Sequence, residues 1–101
     1  MAISDEQKIA SAISDALASD DPAAAMSHLM APGVSWSGPA QAEVREVEAR
    51  EGGVIVGLRW PGASTEKVDR WHVLRIERGS IVDTADFGLR ADALSHLARV
   101  T

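Results

Sequence analysis

Trp71-His72-Val73-Leu74-Arg75-Ile76-Glu77-Arg78-Gly79-Ser80-Ile81-Val82-Asp83-Thr84-Ala85-Asp86-Phe87-Gly88 reads as two extended runs divided by Arg78-Gly79. Both runs are rich in β-branched and large apolar residues, and the dipeptide between them suits a two-residue hairpin turn. The expected strands are Val68 to Glu77 and Ser80 to Phe87. A turn at Arg78-Gly79 pairs Ile76 with Ile81, Leu74 with Asp83, Val73 with Thr84, His72 with Ala85 and Trp71 with Asp86. One face then holds His72, Leu74, Ile76, Ile81, Asp83, Ala85 and Phe87. The other holds Trp71, Val73, Arg75, Glu77, Val82, Thr84 and Asp86.

Upstream, Glu43 to Arg50 and Val54 to Trp60 read as two more strands, joined at Glu51-Gly52-Gly53. With Gly52-Gly53 as the turn, Glu51 pairs with Val54, so Val47 and Ala49 share a face with Val54, Val56, Leu58 and Trp60. The opposite face sets Glu46 against Arg59, an attractive cross-strand pair. Val34-Ser35-Trp36-Ser37 alternates as a short first strand and stops at Gly38-Pro39, and Pro61 to Lys67 is a loop. Further upstream, Ser4 and Gln7 form a capping box before Ile9, Ile13 and Leu17, which predicts a helix from 5 to 18. Asp20-Asp21-Pro22 starts a second helix that runs toward Met30 and ends before Pro32-Gly33. Downstream, Arg90 to Arg99 is a closing helix carrying Ala93, Leu94 and Leu97. The class is α+β: an N-terminal helix pair packed in a curved, mostly antiparallel sheet, a cone-like half barrel, with a C-terminal helix.

Composition limits what such a fold can do. A chain of 101 residues, 46% hydrophobic, forms one domain with one modest core. Having no cysteine, it has neither disulfides nor thiolate metal sites, and this fits a reducing, cytoplasmic setting. Five acids and one base among residues 1–40 carry −4 of the net −5, so no basic patch is left for nucleic acid. The acidic pair Asp5-Glu6 stands where a signal peptide needs basic residues, and no run approaches the length of a membrane span. His28 and His96 fall on separate helices without neighbouring ligands, so no metal is expected. Gly52-Gly53 is followed by no helix start and is no phosphate cradle, and no cofactor is expected.

With the elements in place, residues 71–88 resemble the closing hairpin of the SnoaL-like group in the nuclear transport factor two-like superfamily. There an apolar-polar strand meets a Gly-x-Ile turn, here Gly79-Ser80-Ile81, and ends in an Asp-aromatic pair, here Asp86-Phe87. Met30-Ala31-Pro32-Gly33-Val34-Ser35-Trp36 is similar to that group's passage from the second helix into the first strand, and Asp86-Phe87-Gly88 with Arg90 and Ala91 resembles its exit. The resemblance covers most of the chain and implies a cone whose interior holds a ligand. One departure is plain: the third helix that usually closes one wall is replaced by Gly38-Pro39-Ala40-Gln41-Ala42. The implied pocket is therefore smaller, or open on that side unless a partner subunit supplies the wall.

His72 draws attention because the resemblance puts it on the concave face, where ketosteroid isomerase-like relatives place a hydrogen-bonding acid. On the register above, Asp83 lies diagonally across from it, and the pair reads either as an acid/base couple for an isomerase or hydrolase or as a satisfied sheet histidine beside a solvated carboxylate. Both enzyme templates of the superfamily are broken here. Asp86 echoes the terminal acid of limonene epoxide hydrolase-like members, but their Arg-x-Asp is absent because Trp60-Pro61 follows Arg59, and the chain contains no Tyr for ketosteroid isomerase chemistry. The reading therefore favours a non-enzymatic domain that binds a small apolar molecule among Trp36, Leu58, Trp60, His72, Leu74 and Phe87, or that works by assembly. The alternative filling of that space is core packing. Trp71, Val73, Arg75, Val82 and Thr84 on the outer face form the kind of patch that marks an interface, and relatives commonly dimerise through this side, so a homodimer is expected.

Overall fold

The computed structural model describes residues 5–34, 36, 43–59 and 70–100. Among the described residues three helices and four strands follow one another as α1 (Asp5–Leu17), α2 (Pro22–Ser27), β1 (Glu43–Arg50), β2 (Gly53–Arg59), β3 (Arg70–Glu77), β4 (Ser80–Phe87) and α3 (Arg90–Val100). The strands form one open antiparallel sheet in the order β1-β2-β3-β4, each strand paired with its sequence neighbour. The chain is α+β as expected, with helices packed against the sheet. Ser4, Ser35, Ser37 to Ala42, Trp60 and the expected loop from Pro61 lie outside the described residues, as does the start of the strand expected from Val68.

The helices begin where local chemistry tells them to. Asp21 caps α2 by accepting the Ala24 backbone N–H at 3.2 Å, and Pro22 takes the first turn, where its missing N–H costs nothing. This helix is shorter than expected and gives way to turns after Ser27, so Met30 lies beyond it. There the chain is stitched to the edge of β4. Ala31 donates to the Ile81 carbonyl at 2.8 Å, and the Ile81 N–H donates to Leu29 at 2.9 Å. Val34 and Trp36 belong to no strand.

Two turns set the hairpins. Arg78 and Gly79 both have positive φ, 54° and 77°, the left-handed pair whose twist matches flanking strands. In the first hairpin Arg50 pairs with Gly53, so the turn is Glu51-Gly52 and not Gly52-Gly53. This moves the register by two residues. Because side chains alternate with a period of two, Val47 and Ala49 still share a face with Val54, Val56 and Leu58.

Single-residue irregularities matter more. A register shift at Arg45 places Glu46 opposite Gly57 and gives Arg59 to Glu43, at 3.3 Å, in place of the expected Glu46. A second shift places Val82 as an extra residue in β4: Ile76 still pairs with Ile81, but Arg75 now pairs with Asp83, Leu74 with Thr84, His72 with Asp86 and Trp71 with Phe87. A bulge turns every later side chain over to the other face. Asp83, Ala85 and Phe87 therefore leave the face of His72, and Thr84 and Asp86 join it.

The sheet carries a core on each side. The α1–α2 pair covers Val54, Val56, Leu58, Leu74, Ile76 and Ile81 with Ile9, Ile13 and Met26. Alternate residues Ile55, Trp71 and Val73 face the other way and are covered by Ala93 and Leu97 of α3. Trp71, expected on an exposed outer patch, is only 9% exposed. Burial of a large apolar side chain stabilises by roughly 1.5–3 kcal/mol, so leaving this face in water would be costly. The α3 layer removes that cost within one chain.

Candidate functional site

The helix-pair face changes character toward the His72 end. Val54, Val56, Leu74 and Ile76 make it apolar near the turns, whereas Arg70, His72 and Asp86 share the same face further along by the alternation of β3 and β4. His72 sits between Val56 on β2 and Asp86 on β4 and is 1% exposed. Across it lies Trp36, with ring centroids 4.9 Å apart and planes tilted by 45°. Trp36 also packs onto the main core, and its indole Nε1 is buried with no hydrogen-bond partner among the described residues.

Burial sets the protonation of His72. Desolvation pushes its pKa below the ordinary 6.5, the Asp86 carboxylate pulls it upward and Arg70 pushes it downward again. The imidazole is therefore neutral near pH 7. A neutral imidazole beside an indole N–H offers hydrogen bonding without charge, and it is also the form that accepts a proton.

The structure brings together four of the six residues expected to line a pocket. Trp36, Leu58, His72 and Leu74 share the helix-pair side, with Leu58 and Leu74 fully buried in its core. Phe87 is turned to the opposite face, where its ring meets His96 at 5.1 Å. Trp60 lies outside the described residues. Asp83, expected beside His72, is exposed on the α3 side opposite Arg75; Asp86 is the carboxylate across from His72. The local pattern did not mark the extra residue: Ile81-Val82 sets two β-branched residues side by side, but so does Val54-Ile55-Val56 in β2, which pairs with β3 without a register shift.

The five residues expected to form an outer patch are divided. Trp71 and Val73 lie beneath α3, Arg75 pairs with Glu77 at 3.2 Å, Val82 is the extra residue of the bulge, and Thr84 sits opposite Leu74 on the helix-pair side. Open depressions lie elsewhere: one of about 420 Å³ between Arg50, Glu51, Leu94, Leu97 and Ala98, and one of about 680 Å³ beside Ala31, Glu77, Arg78, Ser80 and Val82. Among the described residues no three metal-ligating side chains converge, and no helix is long and apolar enough to cross a membrane. Compared with known proteins, the chain matches no family model, no curated protein and no solved structure.

Proposed function

We propose that this chain is a small-molecule-binding domain of the SnoaL-like kind, with its ligand seated at the Trp36–His72 end of the helix-pair face. In this reading the four-stranded sheet is one wall of a reduced cone-like half barrel. The observation that carries it is the buried indole N–H of Trp36, which lacks an acceptor among the described residues and stands against His72 in surroundings built from Leu58 and the core. A buried donor left unpaired costs roughly 1–3 kcal/mol, and a ligand oxygen placed there recovers it. The ligand class is a compact apolar molecule with one carbonyl or hydroxyl oxygen. Its recognition needs no charge, because His72 is neutral.

A titration of ¹⁵N-labelled protein with decan-2-one, and with decane as the matched apolar control, tests this. The Trp36 indole N–H resonance, assigned from Trp36→Phe, moves with the ketone and stays with the alkane. Trp36→Phe weakens ketone binding by about five- to tenfold, the worth of one hydrogen bond. An indole resonance that ignores both compounds up to saturation refutes the reading.

The position of Asp86 favours a second reading, a diverged isomerase or hydrolase. Here neutral His72 accepts the proton and Asp86, its cross-strand neighbour on the same face, takes the part expected of Asp83.

A further inference from the structure

Strand β1 ends the sheet on one side, and among the described residues no other strand pairs with its outer edge. The opposite end strand, β4, is bulged at Val82 and stitched at Ile81 to residues 29–31. Which groups β1 turns outward follows from the ladder. The Ile76 N–H donates to the Gly52 carbonyl at 2.8 Å, so Gly53 and Arg75 exchange no hydrogen bonds, and Gly53 aims its own N–H and carbonyl at Arg50 on β1. Alternation from Arg50 then directs the backbone groups of Ala49 and Val47 away from β2. Arg45 and Glu46 together face Gly57 across the bulge, so Val44 is the next residue to point outward. Val44 and Val47 pack onto the helix-pair core and, like Ala49, are left half-buried. The remaining side chains of the strand are all charged. Glu43 pairs with Arg45 and with Arg59, both at 3.3 Å, Glu48 pairs with Arg50 at 3.1 Å, and Glu46 and Glu48 both hold Arg90 of α3.

We propose that the outer edge of β1 pairs antiparallel with β1 of a second copy of the chain, which joins the two sheets through their edges. Outward backbone groups must meet outward backbone groups, and a twofold axis at Val47 does this over the whole strand. With Arg45-Glu46 counted as one position, as it is against Gly57, this axis sets Val47 against the partner's Val47 and Ala49 against the partner's Val44. It also sets Glu48 against the partner's Arg45 and Arg50 against the partner's Glu43, two attractive cross-strand pairs. The neighbouring registers are opposed. An axis at Glu48 brings that carboxylate against its own copy and Arg50 beside the partner's Arg45, and an axis at the bulge sets Glu43 against the partner's Glu48. Charges on an edge strand ordinarily keep sheets apart, but here the same charges favour one mate in one register. Each of them already has a partner in its own chain, so the pairs across the junction contribute direction more than strength. Strand pairing alone buries less area than a standard interface, which makes the dimer a reversible one. It uses none of Trp71, Val73, Arg75, Val82 and Thr84.

The experiment uses the full chain, followed by sedimentation equilibrium from about 10 μM to about 1 mM. The proposal expects a dimer within this range. Glu43→Arg and Arg50→Glu, each alone, oppose like charges at both ends of the paired strands, because the twofold axis counts every substitution twice. Each raises the dimer dissociation constant by about tenfold. Mixed in equal amounts, the two variants restore an attractive pair at both ends, and native mass spectrometry shows the heterodimer in excess over either homodimer. Hydrogen exchange on the unaltered chain gives a readout that depends on no substitution: the amides of Val44, Val47 and Ala49 gain protection as the concentration rises. A chain that is monomeric at about 1 mM overturns the proposal. So does a dimer whose two charge variants show no preference for each other, which identifies another surface. Protection of the three amides that is equal at every dilution also overturns it, because that result puts a segment of the same chain on this edge.

Discussion

Replacing Gly57 by Ala tests the packing of the α3 side of the sheet. A Cβ at this position would stand 2.7 Å from Cζ3 of Trp71, 3.0 Å from Cη2 and 3.1 Å from Cε3, whereas carbon atoms pack best at about 3.5–4.0 Å. The indole must therefore retreat by close to 1 Å, yet the Arg90 guanidinium lies over the same ring and Ala93 and Leu97 share the same cluster. Overpacking of this kind costs about 1–3 kcal/mol, and the alanine returns about 0.4–1 kcal/mol by restricting the unfolded chain. The net loss is about 1–2 kcal/mol, which lowers the Tm of a domain this size by about 5–15 °C. Urea unfolding followed by circular dichroism measures it, and the same substitution in a Trp71→Leu background isolates the contact. There the penalty shrinks by about 1 kcal/mol, because the smaller side chain leaves room. A Gly57→Ala protein as stable as its parent, or an equal penalty in both backgrounds, refutes this account of the layer.

Other consequences are as direct. The folded-state pKa of His72 lies below 6.5, so the unfolded chain binds more protons in the interval between the two values; stability falls as pH drops through that interval and is flat above it, and His72→Phe removes the dependence in urea midpoints compared across it. Asp86→Asn lowers the His72 pKa further, by removing the carboxylate that raises it, whereas Asp83→Asn on the other face leaves it unmoved; imidazole titration by NMR separates the two. Arg78→Asn stabilises by about 0.5–1 kcal/mol, since asparagine accepts the left-handed conformation that Arg78 holds at φ 54°, and a rise in Tm reports it. Asp21→Ala removes the cap of α2 and costs about 1 kcal/mol in thermal melts.

The sequence announces its elements more clearly than their orientations. Glu43–Arg50 and Ser80–Phe87 are strands to the residue, because apolar periodicity and turn chemistry agree at their ends. The faces were harder to read. The extra residue at Val82 reverses Asp83 and Phe87, and that at Arg45 frees Glu46 from Arg59 for Arg90. A bulge changes one residue in the chain and half of the contacts beyond it. The amphipathic pattern of α3 marks which of its sides is buried, yet both sheet faces are apolar, so the pattern alone does not choose between them. Trp71 and Val73 consequently look like a patch awaiting a partner until the helix is seen above them. At the site, Trp36 and His72 are conspicuous by residue type, but their contact depends on Trp36, which belongs to no strand, so that periodicity does not place it.

The stitch between Leu29–Ala31 and Ile81 has a kinetic meaning. Every strand of the sheet pairs with its sequence neighbour, so the sheet assembles through short loop closures, whereas this stitch joins segments about fifty residues apart. Each doubling of a closed loop adds about 0.6 kcal/mol of entropic cost, which places the stitch, and the helix pair tethered by it, late on the folding path. Substitutions in α1 and α2 should then leave the folding rate nearly unchanged and accelerate unfolding, while those in the β3–β4 hairpin slow folding. Such a chain leaves the ribosome with its N-terminal helices waiting for the last strand to which they are tied. Slow folding in Ile13→Val, matched by no change in unfolding, would reverse that order.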